Sequence, residues 1–393
     1  MFQALFTSLS GLFSFSRSLN TVSNNVSNMN TPGFRGSDSF FANIEGNLGT
    51  RIVGEDLRTV AGDARQTGNA TDLAVDGEGY FVLRDPQGAL HYTRAGQFRF
   101  NDDGILVDSV NNYEVMAIGT SGSLDTITIE GLRTVGAVPT TGVHVSGNLV
   151  PVSTSPTVPA TPVDLNSITV YDATGTARVL KMQFSRSTSQ IPGAFDVVVQ
   201  DDTGATLGTG EVRFSVQGLP QAGFSTMDIV LPSAAGDQTI TFDFGTPGAF
   251  NGMTSQSGTP SGLSAKVDDG HGVLPITSMK FDDKGVLQLT YSTTEKRSGG
   301  QVALALFANE SALKLSGGRV VSGVDPSQRD LGAPGAGRYG KIAGSSLEMS
   351  NIDLTREFAD MIIIQRGYQA SSRVMTVSNE MIEQLYNSTR GGA

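Results

Sequence analysis

Apolar residues recur at helical spacing only at the two ends of this 393-residue chain, and that division limits the folds open to it. A Ser- and Asn-rich segment runs from Met1 to about Met29 and breaks at Asn30-Thr31-Pro32-Gly33-Phe34. A second segment runs from about Asp353 to the end, and the long stretch between the two is patterned largely as β.

The heptads can be followed residue by residue. From Leu354 every seventh position is apolar: Leu354, Met361, Tyr368, Met375 and Ile382. The companion seam, Phe358, Gln365, Ser372, Asn379 and Tyr386, is apolar only at its ends. In the first segment Phe2, Leu5, Leu9 and Leu12 share a stripe, which Ser16 and Ser23 interrupt while Leu19 and Val26 continue it. A one-sided helix is marginal alone in water, because nucleation is costly and most helical stability comes from burying the apolar face. Each segment therefore needs a neighbour. That neighbour is either the other segment, closing a domain, or the helices of further copies in a polymer.

The middle is organised by turns. Asp85-Pro86-Gln87-Gly88, Asn101-Asp102-Asp103-Gly104, Asp172-Ala173-Thr174-Gly175, Asp201-Asp202-Thr203-Gly204 and Asp282-Asp283-Lys284-Gly285 share one pattern. A first-position Asp or Asn can bond the turn backbone, and a fourth-position Gly accepts positive φ, so each reads as a β-hairpin turn. Arg99 to Leu106 also resembles Lys280 to Leu287 in register. Between these two hairpins lie a Pro-rich stretch, Pro151 to Pro162, a strand-rich block from about Leu165 to Phe244, and a Gly/Ser-rich run, Gly245 to Gly262. The spacing predicts an insertion. Residues 1–30 with 353–393 form a terminal helical domain, 31–70 an extended linker region, 71–143 with 274–352 a discontinuous β domain, and 144–273 an inserted β domain. The fold class is mixed and mainly β, with two nested β domains and paired terminal helices forming a coiled-coil-like assembly domain.

Composition excludes several functions. A net charge of −11 and the lack of a Lys/Arg cluster argue against nucleic acid or an anionic membrane surface as partner. Hydrophobic content of 38% in isolated runs gives no membrane insertion. Charged residues are 17% of the chain, below the usual share of about 25%, so the surface leans on Ser, Thr, Asn and Gly. With no cysteine, disulfides, thiolate metal sites and Cys nucleophiles are absent. The first basic residue is Arg17 and the apolar stretch before it is broken, so no cleavable signal peptide is evident.

The chemistry-bearing patterns are weak. Gly335-Ala336-Gly337-Arg338-Tyr339-Gly340 is a literal G-x-G-x-x-G, but no strand pattern leads into it and no helix opens after it, so it reads as a loop. Asp268-Asp269-Gly270-His271 lacks the spacing of a calcium loop and reads as a polar turn. His91 and His144 have no evident Asp or Ser partners, and the Asp pairs fall in turns. The chain is expected to have no catalytic, cofactor or metal site and not to be an enzyme.

Several separated motifs carry a resemblance. Leu19 to Arg35, with Asn24, Asn25, Asn28, Asn30, Thr31, Gly33 and Phe34, resembles the signature of bacterial flagellar rod and hook axial proteins. The run from Ser350 to Leu385 is similar to the partner segment of that family, and Asp72 to Phe81 and Tyr92 to Phe98 also match its pattern. The size of the insertion, opened by Ile168-Thr169-Val170-Tyr171-Asp172, favours the hook members over the shorter rod proteins. The resemblance implies a homopolymer, a helical tube joining rod to filament as a flexible joint. It also implies rod, hook-cap and hook-filament junction partners, the flagellar export apparatus, and an extracellular place in the hook. The assembly residues would then be Phe2, Leu5, Leu9, Leu12, Leu19 and Val26 on one helix, and Leu354, Phe358, Met361, Tyr368, Met375 and Ile382 on the other. A rod-type axial protein or a secreted β-rich adhesin are the alternatives.

Overall fold

The computed structural model describes residues 2–46, 49–119, 122–151, 161–187, 191–233, 236–310, 313, 315–316, 319–321 and 324–390. The Phe2 side chain and most of the Pro-rich stretch, residues 152–160, lie outside the described residues. The chain forms two compact units, residues 1–132 with 277–393, and residues 133–276.

The first unit holds both long helices, α1 (Phe2–Ser27) and α2 (Leu354–Arg390). The segment expected as an extended linker is not one. Strands β1 (Ser37–Asn43) and β2 (Thr50–Leu57) form an antiparallel hairpin, bulged between Phe40 and Phe41, that packs on α1. Polar residues at its two strand ends gave no strand signal, yet its backbone bonds close from Ser37↔Leu57 to Asn43↔Thr50. Beyond it the chain runs out and back beside itself. Ala64–Gln66 pairs antiparallel with Ser346–Glu348, and Leu73–Asp76 pairs with Lys341–Gly344.

The larger sheet of this unit is centred on Tyr80–Arg84, flanked by Leu90–Thr93, Glu114–Ile118 and Leu304–Phe307. Its core gathers Tyr80, Val82, Tyr92, Met116, Ala303, Ala305 and Phe307, with edge-on ring contacts of Tyr80 and Tyr92 against Phe307 at 5.5 and 4.9 Å. The two look-alike hairpins pair Phe100 with Leu106 and Phe281 with Leu287, so the sequence register is also the ladder register.

The second unit packs two sheets over one core. A four-stranded antiparallel meander runs Val163–Tyr171, Ala177–Arg186, Ala194–Gln200, Thr206–Arg213. In the other sheet Gly142–Asn148 lies between Gln238–Asp243, to which it is parallel, and Gly262–Val267, to which it is antiparallel. Alternate residues point inward, as Leu180, Met182 and Phe184 do on one strand and Ile240 and Phe242 on another. Thr134–Val135 pairs with Leu274–Pro275 where the chain enters and leaves, so this unit begins about ten residues before the expected 144.

All five predicted turns share one geometry. The first side chain accepts the N–H four residues on (Asp85 from Ala89, Asn101 from Ile105, Asp172 from Thr176, Asp201 from Ala205, Asp282 from Val286) at 2.8 to 2.9 Å. The Gly of each turn has φ between +69° and +88°.

Candidate assembly interface

Helices α1 and α2 pack antiparallel. Ser371 lies opposite Gly11, Gly367 opposite Phe15, and Glu357 opposite Asn25, the numbers falling on one helix as they rise on the other. Small residues permit this approach. A Cβ on Gly11 would sit 2.9 Å from Ser371 Oγ, and one on Gly367 would sit 2.6 Å from the Phe15 ring. The residues that α2 hides are Glu357, Ile364 and Ser378, in phase with half-buried Ser371. The companion seam is therefore 357, 364, 371 and 378, and the predicted 358, 365, 372 and 379 set, displaced by one position, is exposed throughout. On α1 the buried residues are Ser8, Gly11, Ser14, Ser18, Thr21, Val22 and Asn25, mostly small or polar.

The apolar residues lie elsewhere. Leu5, Leu9, Leu12, Leu19 and Val26 are half-buried, as are Leu354, Met361, Met375 and Ile382, while Phe358 and Tyr368 are exposed. The sequence stripes omit Phe6 and Phe13, which are 57% and 69% exposed two turns apart on α1. They also omit Ile362, Ile363, Val374, Val377, Met381 and Leu385, all about half exposed on α2. The helix pair thus departs from an ordinary domain: hydroxyls and glycine, with Val22, Ile364 and the Phe15 ring, lie between the helices, while many large apolar side chains face away. A rule that points apolar residues inward could not find Phe6 and Phe13.

Where the helices meet the hairpin, a polar lock fixes them. Asn25, fully buried, donates through Nδ2 to Glu357 Oε2 at 3.1 Å and to the Ser37 carbonyl at 2.9 Å, and its Oδ1 accepts from Ser37 N–H at 3.1 Å. Glu357 is also fully buried and meets Arg58 at 2.6 Å. Arg58 in turn grips Asp38 with two bonds of 2.7 and 3.1 Å. That bidentate bond holds the Asp38 carboxyl below its ordinary 3.8, and the two carboxylates raise Arg58 further above its own ordinary value. Asp353 caps α2 by accepting from Thr355 N–H at 2.8 Å, and Asn351 ties the approach to it, donating to the carbonyls of Arg58 and Val60 and accepting from Gly36 N–H.

The remaining motif residues close α1 and turn the chain. Asn28 donates to the Asn24 carbonyl and side chain at 2.9 and 3.0 Å, and its own Oδ1 accepts from Thr31 at 3.1 Å. Gly33 has φ +70°, and a Cβ there would lie 2.3 Å from the Ala95 backbone nitrogen. Its N–H donates to the Glu348 carbonyl at 2.8 Å, and Phe34 is buried. Asn30 is exposed, with no side-chain hydrogen bond among the described residues. Beside Phe34, buried Arg35 and Arg94 share Glu348 at 3.4 and 3.2 Å, and both lie over the Tyr80 ring. Burial pushes the Arg94 guanidinium below its ordinary range, with Glu348 opposing the shift. Arg58, Glu348, Arg94 and Glu357 were invisible in the sequence because each has its partner tens or hundreds of residues away.

The chemical motifs sit in turns and loops, though the two histidines expected to lack partners each meet an Asp, His91 with Asp85 at 3.0 Å and His144 with Asp243 at 3.2 Å. The G-x-G-x-x-G loop does follow a strand, Arg329–Gly332, contrary to expectation, but a second strand, Lys341–Gly344, follows it rather than a helix. Asp269 caps Thr141 and Gly142, so the 268–271 segment is a polar turn. Among the described residues no cluster of three or more His, Cys, Asp or Glu side chains could hold a metal, and no helix is long and apolar enough to cross a membrane.

Three family profiles match in chain order. They are the flagella basal body rod protein over residues 5–35, the D1 domain of the flagellar hook protein FlgE/F/G over 74–172, and the C-terminal region of the flagellar basal body rod FlgEFG protein over 343–388. The chain is 27% identical to flagellar hook protein FlgE of Borreliella burgdorferi over 439 residues, covering 98% of this chain and 99% of that protein. It is 27% identical to FlgE of Salmonella typhimurium over 405 residues, covering 96% and 98%. Among solved structures, flagellar hook protein FlgE2 of Helicobacter pylori is similar with a TM-score of 0.44 and 14% identity, over 72% of this chain and 100% of that one. The profiles fall in order on α1, on residues 74–172 and on the C-terminal segment that holds α2, and the hook relatives align over nearly their whole length, so the chain is similar along nearly all of its sequence to flagellar rod and hook proteins.

Proposed function

We infer that this chain is the structural subunit of a bacterial flagellar hook, which polymerises into a tube joining rod to filament. The observation that carries this reading is the facing of the helix pair. Ser, Gly, Asn and Glu lie between α1 and α2, while Phe6, Phe13, Ile362, Ile363 and Val377 face away from the chain that made them. Covering one such side chain is worth about 1.5 to 3 kcal/mol, so a few per contact hold copies together. The helical ends then form the polymer, with the stripes Phe2 to Val26 and Leu354 to Ile382 among the packing residues. The sandwich unit, with its Ser, Thr, Asn and Gly surface, favours modest wet contacts that slide as the tube bends.

The subunit leaves the cell through the flagellar export apparatus and meets rod, hook-cap and hook-filament junction proteins at the ends of the polymer. Its role is mechanical and no chemistry is assigned to it. Deleting the gene in its source bacterium and imaging isolated basal bodies tests this: rods ending without a curved hook are expected. Hooks that persist on a shortened rod would make the chain a rod protein instead.

A further inference from the structure

Helix α2 carries charge in two separate blocks that no described residue of its own chain neutralises. Arg366 and Arg373 are exposed and make no hydrogen bond or ion pair among the described residues, and the same holds for Glu380 and Glu383 nearer the C-terminus. The arginines project from the face opposite Ile364 and Ser371, the residues turned toward α1. Helix α1 contains no acidic residue, and its single Arg17 already pairs with Glu55 at 3.5 Å. Within the helix pair, carboxylates able to meet Arg366 and Arg373 therefore occur only on α2, and neither arginine is paired with one of them.

We propose that the arginine block of α2 in one copy pairs with the glutamate block of α2 in a second copy, and that this pairing sets the axial stagger between them. The proposal rests on the hook reading, since it needs neighbouring copies of common polarity. In a helical polymer every copy repeats the same head-to-tail contact, so a helix must offer complementary charges to two different neighbours. Glu380 lies nearly in line with Arg373 around the axis and Glu383 about a quarter-turn from it, so the acidic block spreads from the arginine face toward a second neighbour. The centres of the two blocks are about 12 residues apart, and at 1.5 Å per residue the stagger is about 18 Å. Ile362 and Val377, exposed beside the arginines, are covered in the same contact and lower the local dielectric around the pairs.

The test uses the full chain, supplied to a strain lacking the gene, with secreted subunit assayed in the medium and hooks counted on isolated basal bodies. Arg366→Glu with Arg373→Glu, and separately Glu380→Arg with Glu383→Arg, are expected to be secreted normally but to reduce hooks by roughly tenfold or more, because each block then faces its own sign. The fourfold swap carrying all these changes is expected to restore hooks. Circular dichroism of the secreted subunits separates lost helix from lost pairing. Two reversal variants that build hooks like the wild type overturn the proposal, and so does a swapped variant with wild-type helix content that builds none. Hooks that persist when the gene is absent would overturn the hook reading itself, and the proposal with it.

Discussion

Asn25 shows how much one side chain can carry in this molecule. It completes the hydrogen bonding of Ser37 in the hairpin and of Glu357 in α2 from a fully buried position on α1, so three elements share one amide. Replacing it with alanine strands Glu357 Oε2 in a fully buried position and removes the amide partner of both Ser37 backbone groups. Asn25→Ala is expected to cost about 2 to 3 kcal/mol, read as a lower urea midpoint with an unchanged slope. A loss under half a kcal/mol would show that water replaces the amide at no cost. The Asn-rich motif was legible in the sequence as a helix end, but its meaning was not. Asn24 and Asn28 act locally to close α1, Asn25 bonds 332 residues away, and Asn30 bonds nothing described, a distinction that spacing alone does not contain.

At the scale of elements, the helices were legible as helices because period and breaker coincide at Thr31-Pro32-Gly33. Their facing was not. Periodicity reports which residues share a side, but the direction of that side depends on what the partner presents, and here Gly11, Gly367 and Ser371 set the approach. Phe6→Ser with Phe13→Ser is accordingly expected to leave the unfolding free energy of the monomer, measured in urea, within about 0.5 kcal/mol of wild type while abolishing assembly. If the monomer instead loses several kcal/mol, those rings are packed inside the chain. The hairpin of β1 and β2 was missed for a related reason: none of its strand residues is fully buried, so it lacks the apolar core face that marked the sandwich strands.

For the whole molecule, acid is the informative variable. Asp172 and Asp201 sit below their ordinary 3.8 because Thr174 and Thr203 hydroxyls and turn N–H groups bond the charged form, and Arg58 does the same for Asp38. A lowered carboxyl stabilises the fold fully above its ordinary value and loses that contribution as pH falls through the lowered one. Stability should therefore hold from pH 7 to about 5 and decline below about 4, and Asp172→Asn with Asp201→Asn should flatten the decline. An acid limb of unchanged steepness in that variant would place its origin elsewhere. The repeated turns were the most legible part of the chain, since Asp and Gly four positions apart specify their own geometry without distant partners. The strand pair that joins residues 134–135 to 274–275 has a consequence for ancestry and for engineering alike. Because the chain enters and leaves residues 133–276 side by side, that unit is a cassette, and a longer, shorter or foreign domain can be spliced there without altering the distance between the cut ends.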